Sequence, residues 1–98
     1  MRHDIATIRA ALRLRAAEVG EALLGKPTFR CRSELRWGRK GSLSLAIAGP
    51  KAGSWYDYEL GTGGDILRLI QRERRCGFAE AVRFARAWTS APPPMPPR

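Results

Sequence analysis

Between Thr28 and Leu60 the apolar residues recur at every second position, in runs separated by glycine-bearing turns. A period of two belongs to a strand with one buried face, and three such runs joined by short turns predict an antiparallel meander. In the first run Phe29, Cys31, Ser33, Leu35 and Trp37 fall on one side, and Arg30, Arg32, Glu34 and Arg36 on the other. Gly38-Arg39-Lys40-Gly41 reads as a hairpin turn. The return strand then places Leu43, Leu45 and Ile47 inward and Ser42, Ser44, Ala46 and Ala48 outward. Gly49-Pro50-Lys51-Ala52-Gly53 is a second turn, and Ser54–Leu60, with Trp55, Tyr56 and Tyr58, forms the third strand. Trp37 and Trp55 are assigned to the core of so small a domain. Tyr56 and Tyr58 fit either the core or an exposed stacking surface.

On both sides of this segment the period lengthens. Asp4 can cap a helix whose apolar positions are Ile5, Ile8, Leu12, Ala16, Val19 and Leu23, ended by Gly25 and Pro27. Gly20 lies within it at a cost in propensity. Gly61-Thr62-Gly63-Gly64 reads as a turn that breaks the sheet, and Asp65 as the N-cap of a helix carrying Ile66, Leu67, Leu69 and Ile70. Arg72, Arg74 and Arg75 suit the negative end of that helix. Beyond Gly77, Phe78, Ala81, Val82, Ala85 and Trp88 make the stripe of a last helix. The final eight residues are proline-rich and of linker type. The predicted class is α+β. Residues 1–25 form an N-terminal helix; residues 26–90 form a three-stranded antiparallel sheet packed by that helix and two C-terminal helices; residues 91–98 are a linker or tail.

Ninety-eight residues allow one domain of modest core. No apolar run is long enough to span a membrane, and the N-terminus leads into a helical pattern rather than a signal peptide. Two cysteines do not make a disulfide framework. A cytoplasmic protein is the expectation. The net charge of +9 favours a polyanionic partner, nucleic acid being the commonest in a cell. Position sharpens this, because residues 26–55 hold seven basic residues and only Glu34, a net of +6. Alternation predicts Arg30, Arg32 and Arg36 on the outer face of the first strand, with Arg39 and Lys40 at the adjoining tip and Lys51 in the next turn. Ser42 and Ser44 supply phosphate hydrogen bonds on a surface of small side chains. Tyr56 and Tyr58, if they share that face, supply base stacking.

Other chemistries find little support. The glycine run lacks the Lys-Ser/Thr of a P-loop and the downstream acid of a dinucleotide fingerprint. Asp57, Glu59 and Asp65 are the acidic cluster a metal nuclease would need, with Asp57 and Glu59 alternating onto one face, yet no Lys or His stands beside them as a base. Cys31, Cys76 and His3 fall short of four zinc ligands, and Cys31, on an inward position, reads as a small core residue. No enzyme activity, cofactor or metal is expected of the chain.

Gly63-Gly64-Asp65, the apolar helix Ile66-Leu67-Arg68-Leu69-Ile70 and then Gly77-Phe78-Ala79-Glu80-Ala81-Val82 resemble the end of the zinc-binding domain of bacterial DnaG-type primases. The order Gly53, Trp55, Asp57, Gly61, Gly64-Asp65 and Ile66–Ile70 is closer to zinc-free variants at the N-termini of toprim-containing primase-like proteins of plasmids and phages. The resemblance covers roughly residues 25–90. The family's metal ligands fall at Cys31, Glu34, Asp57 and Leu60, so one of four survives and zinc does not carry over. The resemblance implies a non-catalytic module that binds DNA, as single-stranded template. The alternative is a protein-interaction module, a degenerate primase domain docking on a replication or host protein.

Overall fold

The computed structural model describes residues 5–90. Asp4, His3 and the proline-rich segment lie outside the described residues. The described chain forms α1 (Ile5–Leu14), α2 (Ala16–Leu24), β1 (Phe29–Arg30), β2 (Glu34–Trp37), β3 (Leu43–Ala46), β4 (Trp55–Asp57), β5 (Thr62–Gly64), α3 (Ile66–Arg74) and α4 (Phe78–Ser90). The strands make one antiparallel sheet in sequential order β1-β2-β3-β4-β5. The α+β class and the meander agree with the sequence; the element count does not.

Three local events account for the difference. The predicted first strand is a hairpin, because the Cys31 N–H donates to the Glu34 carbonyl at 2.9 Å and reverses the chain between β1 and β2. The predicted third strand stops at Asp57. The chain turns back there, so the glycine run, expected to break the sheet, becomes its last strand. The predicted N-terminal helix breaks at Arg15, whose φ of −116° and ψ of 27° leave the helical region. The Arg15 guanidinium there donates to the Trp88 carbonyl at 2.7 Å and lies over the Trp88 ring, pinning the α1–α2 corner to α4.

One face of the sheet is buried. Leu35 and Leu45 are fully enclosed, and Trp37, Leu43 and Trp55 nearly so, against Ile8, Leu12, Val19, Leu67, Leu69 and Ile70 of the helices. Each such side chain contributes about 1.5–3 kcal/mol on leaving water. Helix α2 lies on β3 and α3 on β5, with α1 and α4 packed against α3. Both tryptophans are tied from the core to backbone: Trp37 Nε1 donates to the Gly25 carbonyl at 2.9 Å, and Trp55 Nε1 to the Asp65 carbonyl at 2.7 Å. Asp65 caps α3 as expected, its Oδ1 accepting from the Arg68 N–H at 2.9 Å. All four described helices occupy the same side, and among the described residues no helix lies on the other face of the sheet.

Candidate nucleic-acid interface

Residues directly opposite one another in an antiparallel sheet share a face, so the register defines the uncovered surface. Phe29 pairs with Arg36, Arg36 with Ser44, Ser44 with Tyr56 and Tyr56 with Gly63, giving one row across all five strands. Glu34 and Ala46 form a second, parallel pair on the same face. Phe29 and Tyr56 are about half exposed, at 53% and 41%, and Tyr58, just past β4, is 62% exposed. Phe29 and Tyr56 stand three strand spacings apart in this row, about 14 Å.

The guanidinium of Arg36 is held in place on this face. Its Nε donates to Glu34, its Nη1 donates to the Gly41 carbonyl at 3.0 Å, and its Cζ lies 5.7 Å from the centre of the Tyr58 ring. Tyr58 in turn meets Tyr56 edge to face, with centroids 4.8 Å apart. Gly63 makes room for this arrangement: a Cβ there would stand 2.5 Å from the Trp55 carbonyl oxygen and 2.7 Å from Tyr56 Cδ1. At the β2–β3 tip an open cleft of about 400 Å³ is lined by Thr28, Phe29, Arg36, Arg39, Lys40 and Gly41.

The structure gathers seven of the ten sequence-derived site residues at this surface: Arg36, Ser42, Ser44, Tyr56 and Tyr58, with the exposed Arg39 and Lys40 at the tip. The remaining three lie elsewhere. Arg30 sits opposite Leu35, on the helix side of the sheet, and pairs with Glu21 of α2. Arg32 and Lys51 lie in the β1–β2 and β3–β4 turns, which meet at the far end of the sheet through an Ile47 N–H to Ser33 carbonyl bond of 2.9 Å. The hairpin at Cys31 reverses the predicted assignment in β1: Phe29, expected inside, stands on the outer face, and Arg30, expected outside, does not. Phe29 and Gly63 are thus the site residues the sequence reading missed. Neither a turn residue at positions 31–33 other than Ser33 nor a β-forming residue beside Gly63 other than Thr62 signals them.

Cys31 is exposed rather than buried in the core. Hydrogen bonding from the Ser33 side chain, at 3.6 Å, and then from its backbone holds the thiol below its ordinary value. Asp57 and Glu59 do not share a face as alternation predicted. Asp57 is 5% exposed and faces the core, where its Oδ1 accepts the Glu59 and Leu60 N–H groups at 2.9 and 3.1 Å. Its Oδ2 accepts from Arg72 Nη2 at 2.7 Å. Burial alone would raise this carboxyl; the Leu60 and Glu59 N–H groups and the Arg72 charge outweigh it and hold the carboxyl below its usual range. Glu59 turns outward, within 3.4 Å of the Ser42 hydroxyl.

The four positions at which the primase resemblance would set metal ligands do not converge. Cys31 and Glu34 lie at the end of the sheet where β1 turns into β2, and Asp57 and Leu60 at the opposite end, where β4 turns into β5. Among the described residues no three His, Cys, Asp or Glu side chains come together. No described helix is long and apolar enough to cross a membrane. Comparisons of the chain with protein-family models, with curated proteins and with solved structures give no match.

Proposed function

We propose that the chain is a non-catalytic module that binds single-stranded DNA on the uncovered face of its sheet, in the manner of a primase-type template-binding domain. The observation that carries the reading is the row Phe29–Arg36–Ser44–Tyr56, with Tyr58 beside it and Arg39 and Lys40 at the neighbouring β2–β3 tip. Aromatic rings spaced by an arginine and a hydroxyl offer what a single strand needs: flat surfaces for unpaired bases and donors for the phosphates between them. A duplex hides the faces of its bases, so stacking of this kind favours an unpaired strand. The order of Trp55, Asp57, Gly61, Gly64-Asp65 and α3, which resembles that of primase-like proteins, supports the same reading.

The test is a fluorescence-anisotropy titration with an oligothymidylate of about twelve nucleotides. Wild-type protein binds it, and affinity falls steeply between about 50 and 200 mM salt. Phe29→Ala and Tyr56→Ala each weaken binding about tenfold, and Arg39→Ala with Lys40→Ala reduces the salt slope. Arg30→Ala, on the helix side, leaves affinity within about twofold. Undetectable binding at low salt would overturn the reading and leave the face to an acidic protein partner.

A further inference from the structure

The acidic residue beside Arg36 on the outer face calls for a role. Glu34 is the single acid among residues 26–55, and it stands on the outer face two positions before Arg36. Its carboxylate accepts from Arg36 Nε, and both side chains are about a third exposed, 29% for Glu34 and 35% for Arg36. The Arg36 guanidinium is already fixed without it, by the Gly41 carbonyl at 3.0 Å and by the Tyr58 ring. A carboxylate on an arginine donor occupies the position that a phosphate oxygen would take, since both anions accept from the same N–H groups in the same geometry.

Resting on the reading above, we infer that Glu34 is an internal competitor for the backbone phosphate and thereby a specificity-determining residue of the face. In the free protein Glu34 neutralises Arg36; a bound strand must displace the carboxylate to place a phosphate there. Simple monovalent anions do not gain enough at one position to do so. A phosphodiester strand does, because stacking on Phe29 and Tyr56 holds its phosphates over the row. The ligand class selected is a strand that offers bases and phosphate together.

If Glu34 competes, Glu34→Gln tightens oligothymidylate binding, by about fivefold; if Glu34 instead positions Arg36, the same change weakens it. Glu80→Gln serves as the control for net charge alone, because Glu80 pairs with the exposed Arg83 on α4, away from the sheet. The salt slope of Glu34→Gln steepens by about 0.7, one phosphate contact on a single strand no longer being offset. In the double variant Glu34→Gln, Arg36→Ala the gain over Arg36→Ala disappears. Wild-type binding with a Glu34→Gln affinity no better than that of Glu80→Gln would overturn the competitor role and leave the single-strand reading standing. Absence of binding by wild type and Glu34→Gln alike at low salt would overturn both.

Discussion

Asp57 is a buried charged residue that ties a turn to a helix. One oxygen closes the β4–β5 turn through two backbone N–H groups, and the other meets Arg72, whose guanidinium lies 5.2 Å from the Trp55 ring centre. Asparagine keeps an acceptor for the turn but removes the charge opposite Arg72. Asp57→Asn should therefore cost about 2 kcal/mol, the range for a charged hydrogen bond, read as a lowered urea midpoint at pH 7. Because folding lowers the Asp57 pKa, its contribution is complete above the unfolded carboxylate range and is lost as pH falls through the lower folded value. The stability gap between wild type and variant should therefore shrink on acidification; a constant gap would refute this. Sequence alone marks Asp57 as an acid of alternating register and cannot reveal this role. The deciding partner, Arg72, comes from another element fifteen positions away.

At the scale of elements, α2 sits unusually close to the sheet at Gly20. A Cβ there would lie 2.5 Å from Leu45 Cδ2 and 3.1 Å from Trp37 Cη2, both side chains of the buried face. Helix propensity alone would make Gly20→Ala stabilising by about 1 kcal/mol. Overpacking against two core side chains opposes it by about 1–3 kcal/mol. The net expectation is a destabilisation, seen as a lower thermal midpoint; a raised midpoint would show that α2 can move away freely. Elements with strong local signals were legible in the sequence: the β2–β3 hairpin with its glycines, and α3 with its Asp65 cap and apolar stripe. The β1–β2 hairpin was not, because Cys31-Arg32-Ser33 lacks the glycine, asparagine or proline that marks a tight turn. Strand β5 was hidden for the opposite reason: Thr62-Gly63-Gly64 has the composition of a loop, and only the packing of Tyr56 above Gly63 explains its place in the sheet.

For the molecule as a whole, the sheet has two ends of basic charge as well as a face. Arg39 and Lys40 occupy one end; Arg32 and Lys51, in the turns at the other, are separated from them by the length of strands about four residues long, roughly 13 Å. A strand too short to reach both ends should be indifferent to the far pair. Joint replacement of Arg32 and Lys51 by alanine should leave binding of an oligothymidylate of about four nucleotides unchanged and weaken one of about twelve by about threefold. Equal losses at both lengths would place those charges in the central site. The charge bias toward residues 26–55 was readable from the chain, but its division between a face, a helix contact and two ends required the fold. All four helices lie against one side of the sheet, so the work of holding the molecule together and the work assigned to its bare side fall on alternate residues of the same strands. Substitutions at Phe29 and Ser44, on the bare side, are thereby separated from those that disturb the core. An engineer could vary those positions as a library while keeping one architecture.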